Sequence, residues 1–372
     1  CRFASDGNPQ QERFINALGW RKNAMGEHTP LVSIIMSVYN EERYLQQSME
    51  SLIGQTLTDF EIIVIDDCSN DRTTEIIESF HDERIRLIRN ELNQGLTRNL
   101  NRALDYCRGK YIARMDGDDI SLPKRLEKQV RYMENHPDRM LAGCQTRTFG
   151  EQNLIWRLKD NPEKLRIMML LRPVLAHPSF IMRGELIREY NFRYDETFRS
   201  AQDYDFAQRV SERFKIGIVP EVLLCYRTHK KQVSSRSSTE QYSNADRVRD
   251  RQLRELGITE LDDEMREAYR AWVREERREN IDSFLKAFQF LELICSANRK
   301  TGKYPEKELE RTLREMLYTW LLRTKSPGLF RNLPKLCRTW KDYGILLYTV
   351  MEIGWNKWKN NERKFEYKKK SF

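Results

Sequence analysis

A near-continuous apolar run, Leu31-Val32-Ser33-Ile34-Ile35-Met36-Ser37-Val38, stops abruptly at Tyr39-Asn40-Glu41-Glu42. A strand with no polar face has to be covered on both sides, and helices above and below a parallel sheet provide that cover. The unit recurs. Phe60 to Ile65 ends in Asp66-Asp67-Cys68-Ser69-Asn70-Asp71, and Ile85 to Ile88 precedes the turn Asn93-Gln94-Gly95. Tyr111-Ile112-Ala113-Arg114-Met115 runs into Asp116-Gly117-Asp118-Asp119. Between these runs, apolar residues recur at helical spacing: Leu45, Met49, Leu52 and Ile53; Ile76, Ile77 and Phe80; Leu96, Leu100, Ala103, Leu104 and Cys107. Strand and helix alternating through short loops predict an α/β fold with a mostly parallel central sheet and helices on both faces. Asn40 is expected to cap the first helix, and Gly117 to permit a tight turn.

Polar residues gather after the strands, at the edge where open α/β sheets hold ligands. Three aspartates within four residues repel one another. They become favourable around a divalent cation, which prefers carboxylate oxygens; the alternative is a solvated acidic turn. The Gly-x-x-x-x-Gly-Lys-Ser/Thr loop is absent, and no Gly-x-Gly-x-x-Gly follows the first strand. Acidic strand ends suit a nucleotide diphosphate held through a metal that offsets its charge as it leaves. Further on, a helix is expected from Leu122-Pro123, strands at Met140 to Cys144 and His177 to Met182, and helix around Leu165–Leu171. A helix opening at Ser200 to Asp205 and two short strands, Ile216 to Val219 and Val222 to Tyr226, complete the unit.

Charge divides the chain. Lys and Arg number 65 against 56 acids, a net charge of +9, and most of the excess lies beyond Gln241. The nearly neutral front disfavours a nucleic-acid groove there. Seven scattered cysteines without Cys-x-x-Cys fit free thiols in a reducing compartment. No apolar run approaches the ~20 residues of a membrane span. Residues 1–24 lack the apolar core of a leader, and Met25 is expected to be the natural start. Three regions are expected: an N-terminal extension, 1–29, poorly ordered; a catalytic domain, 30–238; and a basic helical region, 239–372. From Tyr318 onward, basic residues interleave with Trp320, Trp340, Trp355 and Trp358. That pattern suits a helix lying on an anionic membrane surface; the alternative packs these tryptophans onto the catalytic domain.

Five ordered blocks carry a family resemblance: Pro30 to Glu41, Ile63 to Asp71, Asn93-x-Gly95-x-x-Arg98-Asn99, Asp116-Gly117-Asp118-Asp119, and Leu122-Pro123-x-Arg125-Leu126-x-x-Gln129. Over roughly residues 30–235 the chain resembles the family 2 inverting glycosyltransferases with the GT-A nucleotide-diphospho-sugar transferase fold. The resemblance implies that Tyr39 and Asp66 contact the nucleotide base, with Glu41 and Asp67 alongside and Arg98 near the base or diphosphate. It places Asp116 toward ribose and sugar, Asp118 on Mg²⁺ or Mn²⁺, His229 near the diphosphate and Asp203 as catalytic base. His177 matches a His-Pro-Ser block, and Arg125 and Gln129 are read as structural. Gln202 stands where the family usually has an acid, so Asp205 is held as the alternative base. The Gln-x-x-Arg-Trp block of processive synthases is absent, which implies one sugar per event. The implied partners are a nucleotide-diphosphate sugar donor and a lipid-linked or saccharide acceptor. A cytoplasmic location is implied, peripheral on the inner face of the plasma membrane, in bacterial surface-polysaccharide assembly. The competing readings are a nucleotidyltransferase, which would want a basic Gly-rich loop after the first strand, and a nucleic-acid-binding protein acting through its basic C-terminal third.

Overall fold

The computed structural model describes residues 29–229, 238–276, 281–324, 344–346 and 349–351. Strand β1 (Val32–Val38) runs through the middle of the sheet, parallel to β2 (Phe60–Asp66) and to β4 (Tyr111–Met115), while β3 (Ile85–Arg89) extends β2 in parallel. Register explains why the polar clusters meet. Val38 pairs with Asp66 and Met36 with Met115, so the chain leaves β1, β2 and β4 at one edge. Helices α1 (Leu45–Ile53), α2 (Thr73–Glu78) and α3 (Leu96–Tyr106) connect these strands.

Both faces of β1 are buried, as its apolar run requires. Ile34, Met36 and Val38 pack with Leu45, Met49 and Leu52 of α1, and with Leu126 and Val130 of α4 (Arg125–Asn135). Ile35 faces the opposite side, with Leu100 and Leu104 of α3. Each such fully buried side chain contributes about 1.5–3 kcal/mol. The second half of the sheet adds β5 (Ile120–Ser121), β6 (Arg139–Gly150), β7 (Ile155–Trp156), β8 (Ile181–Arg183) and β9 (Lys215–Thr228), giving the order β3-β2-β1-β4-β8-β6-β9-β5 with β7 on β6. β6 and β9 pair in parallel; β8, β5 and β7 are antiparallel to their neighbours. β9 is one long strand where two short ones were expected, with its irregularity opposite Cys144 and Gln145.

Helix α1 starts at Leu45, not at Asn40. Asn40 has φ 53°, and its side-chain oxygen accepts from the Asn70 N–H at 2.9 Å while its own N–H donates to Ser69 Oγ. It ties the loop after β1 to the loop after β2.

Between β7 and β9 lie α5 (Pro162–Met168), α6 (Gly184–Glu189) and α7 (Gln202–Arg213); beyond β9 follow α8 (Ser238–Glu255), α9 (Asp263–Val273), α10 (Ile281–Thr301) and α11 (Glu306–Thr324). The later helices form their own core around Phe284, Phe290, Ile294, Leu313 and Trp320, which also takes in Ile167, Leu170 and Leu171. Trp320 is buried against Phe284, with ring centroids 4.1 Å apart, and its indole N–H donates to the Glu276 carbonyl. It is therefore a core residue and not part of a membrane-facing stripe. Trp340, Trp355 and Trp358 lie outside the described residues. Among the described residues no helix is long and apolar enough to cross a membrane.

Candidate active site

The acidic loop is built on β4. Gly117 sits in close quarters rather than in a left-handed turn: a Cβ there would lie 3.2 Å from Val38 Cγ1 and 3.3 Å from Glu41 Cγ, and those side chains would have to shift by a few tenths of an ångström. Ser48 Oγ donates to the Asp116 carbonyl at 2.9 Å. On the other side, the end of β9 docks onto the same loop. The Arg227 N–H donates to Asp119 Oδ1 at 2.8 Å and its Nε to the Asp118 carbonyl at 2.7 Å. This brings His229 Nε2 to 3.1 Å from Asp118 Oδ2, with the imidazole against the Tyr44 ring.

Asp116, Asp118 and Asp119 each offer a carboxylate oxygen within 4.8 Å of the others. Asp119 Oδ2 is buried and has no hydrogen-bond partner among the described residues. A hard divalent cation fits this donor set, because such ions prefer carboxylate oxygens and three of them converge here. The electrostatics agree. Burial, then Asp118, Asp116 and Asp71, push the Glu41 carboxyl up to about 8. Burial and Asp116 raise Asp118, against the pull of His229, and burial with the neighbouring aspartates raises Asp119 well above the carboxylate range.

One cation lies beneath the cluster. Arg114, buried in β4, forms an ion pair with Asp116. Burial opposes its charge, but Asp116, Tyr194 and Asp119 together outweigh that and hold its pKa above the ordinary value. Sequence reasoning gave Arg114 no role, although a charged residue inside an apolar strand, two positions before an acidic cluster, is itself a signal.

Asp203 enters from a different element. It occupies the first turn of α7, after Ala201 in the left-handed region at φ 58°. Such backbone in a non-glycine residue costs on the order of 1 kcal/mol and concentrates at functional sites. Burial raises the Asp203 pKa, while the Tyr204 amide and Arg114 pull it down. Asp205, the alternative base, is excluded by its surroundings: it is fully buried, with Oδ1 accepting from Arg251 at 2.7 Å and Oδ2 from Arg209 at 2.8 Å. It joins α7 to α8.

Glu41, Asp116, Asp118, Asp203 and His229 line one cleft of about 1250 Å³, together with Arg114, His177 and Gln202. His177 is buried, its Nε2 2.9 Å from the Tyr194 hydroxyl; burial and Arg114 hold its pKa well below the usual histidine value, so it stays neutral. Gln202 Oε1 is buried without a partner among the described residues. The remaining expected residues stand apart from this wall. Tyr39 is half exposed at the neighbouring strand end, and Asp66 is buried, accepting from the Ser69 amide, with Arg89 Nε at 3.6 Å. Asp67 is not among the residues that line the cleft. Its carboxylate accepts from the Gln94 and Gly95 amides and from Asn90 Nδ2, fixing the turn before α3. Arg98 points away to Glu196 at 3.1 Å. Arg125 and Gln129 are structural: Arg125 donates to Gln129 Oε1 and the Arg114 carbonyl, and Gln129 to the Ser179 carbonyl.

The family model for glycosyl transferase family 2 matches residues 33–191. An uncharacterized glycosyltransferase of Methanocaldococcus jannaschii is 41% identical over 209 residues, covering 53% of this chain and 71% of that protein. The chain belongs to glycosyltransferase family 2. The O-antigen biosynthesis glycosyltransferase WbnJ of Escherichia coli is a further relative, 33% identical over 211 residues, 54% of this chain and 81% of WbnJ. Among solved structures, S. aureus TarS 1-349 in complex with UDP-GlcNAc superposes with a TM-score of 0.53 at 19% identity, over 82% of this glycosyltransferase and 91% of that chain. At that identity the likeness is one of fold: a GT-A sheet followed by helices. The matched family region stops short of Asp203 and His229, so their arrival in the cleft rests on the geometry alone.

Proposed function

We propose that this glycosyltransferase inverts configuration and moves one sugar at a time from a nucleotide-diphosphate sugar to a hydroxyl of a surface-polysaccharide precursor. The observation that carries the reading is the meeting of two groups of acids in one cleft: Asp116 and Asp118 from the end of β4, and Asp203 from the start of α7. WbnJ belongs to O-antigen biosynthesis and TarS binds UDP-GlcNAc; a donor and pathway of these classes are extended here to this chain.

In this reading Asp203 takes the proton from the acceptor hydroxyl as that oxygen attacks the anomeric carbon. Arg114 holds the Asp116 carboxylate toward the sugar, so the donor is positioned before the reaction begins. Asp118, with Asp116, Asp119 and His229, would hold Mg²⁺ or Mn²⁺, which when bound neutralises the diphosphate as it leaves. Neutral His177 and Gln202 offer uncharged hydrogen-bonding groups beside the base. Tyr39 and Asp66, one strand away, remain the candidates for base recognition. Peripheral attachment to an anionic membrane through the basic C-terminal segment belongs to the same proposal.

A panel of nucleotide sugars, assayed by thermal stabilisation and by turnover with and without Mn²⁺, tests it. One donor is expected to stabilise the protein in a metal-dependent way, and Asp118→Asn to remove the metal dependence. Failure of every nucleotide sugar in the presence of metal would sink the proposal.

A further inference from the structure

The cleft is larger than a donor requires, since pockets for single small ligands run to about 1000 Å³. Away from the acids, its wall changes character. No acid occurs among the described lining residues from Leu154 to Gln202, whereas Arg157, Arg172 and Arg199 do, joined by Arg323 from α11. Arg172 and Arg323 share one carboxylate, Glu275, which leaves that pair net positive. Arg199 is exposed, three residues before the helix that carries Asp203.

Residues 172–178 form one continuous strip of wall. Arg172 and His177 are five residues apart, at most about 18 Å, so the basic arm lies within a few sugar lengths of the reacting centre. The β6–β7 hairpin supplies an aromatic surface beside it. Trp156 pairs with Thr146, is 45% exposed, and lies 5.4 Å from the Tyr226 ring, which also lines the cleft. Leu154, Val174 and Leu322 add apolar surface.

We propose that this arm is the acceptor subsite and that it recognises a phosphate carried by an acceptor with an apolar chain. The inference rests on the glycosyltransferase reading above. Guanidinium groups bind phosphate oxygens through paired, charge-assisted hydrogen bonds, and an exposed indole beside them takes a sugar face. The apolar residues favour an amphiphilic phosphate over a soluble one, and the acidic end of the cleft repels the same phosphate. Together these orient the acceptor with its free hydroxyl toward Asp203.

The test uses the full chain in EDTA, so that no metal holds phosphate at the carboxylates. Binding of decyl phosphate, decyl β-glucoside and glucose 1-phosphate, each below its micellar concentration, is followed by calorimetry and tryptophan fluorescence. Decyl phosphate is expected to bind about tenfold or more tightly than the neutral glucoside. Arg199→Gln combined with Arg323→Gln should erase that preference, and the Lys pair should restore most of it, which a merely structural role would not do. Equal binding of phosphate and glucoside, or a preference that survives the Gln pair, overturns the subsite. Glucose 1-phosphate binding as tightly as decyl phosphate overturns the amphiphilic acceptor. Because no nucleotide sugar or metal enters this experiment, its failure is distinct from failure of the donor panel.

Discussion

Asp203 and Asp205 stand two residues apart on α7, and their surroundings predict opposite consequences for the same substitution. Asp205 is fully buried between Arg209 and Arg251, whose side chains keep 28% and 30% exposure. Breaking a fully buried pair costs roughly 3–5 kcal/mol. The partial exposure of both arginines brings Asp205→Asn to about 2–3 kcal/mol, since water can take up part of their charge. For a chain of this size that is a fall in Tm of about 5 °C, at about 2 °C per kcal/mol. Asp203 carries a raised pKa, chiefly from burial. Its pKa is higher folded than unfolded, so the wild type loses stability as pH rises through that window, and an Asn does not. Asp203→Asn therefore leaves Tm unchanged or higher at neutral pH. Loss of a general base lowers turnover by about 10²–10⁴, which is roughly 3–5 kcal/mol of transition-state stabilisation. Scanning calorimetry and single-turnover assays of the two variants, side by side, decide the matter. A stable, inactive Asp205 variant beside an active Asp203 variant would refute both assignments.

Turnover should rise with pH through a midpoint above the ordinary aspartate value, because the base works as a carboxylate and burial raises Asp203; a kcat/KM profile with its midpoint at or below about 3.9 contradicts this. Asp67→Ala removes the acceptor of the Gln94 and Gly95 amides, and should cost about 2–4 kcal/mol by chemical denaturation. A neutral result would mean that the turn before α3 holds without it. Trp320→Ala should cost about 3–5 kcal/mol through the cavity it leaves against Phe284, while binding to anionic vesicles persists. Truncation after Thr324 also removes Ile345 and Leu346, which pack against the helical core, so it is paired with truncation after Met351; retention of salt-sensitive vesicle binding in both removes the membrane proposal.

The repeating β–α pattern was legible because it is local. An apolar run closed by polar residues reports two buried faces and a strand end whatever surrounds it, so β1, β2 and β4, their helices and the acidic loop could be read in order. Motif reading also singled out Asp203 and His229, which line one cleft with Asp116 and Asp118. It could not tell a motif residue that faces the cleft from one that holds a loop. Asp67 and Arg98 sit in blocks as distinctive as the aspartates, yet one accepts amides of the turn before α3 and the other pairs with Glu196. The same limit applied to Asn40 and Gly117, whose roles depend on loops distant in sequence.

From the chain of residues alone come the parallel sheet, its carboxyl edge and the acids gathered there, because periodicity and hydrophobicity act between near neighbours. Only the tertiary structure decides that Arg114 lies under Asp116, that Asp205 is locked by two arginines, that Trp320 is core, and that five arginines share a cleft with Asp116, Asp118 and Asp203. Charge pairing and burial are fixed by which distant segments pack together, and that information exists only once the sheet has brought β4, α7, β9 and α11 to one place.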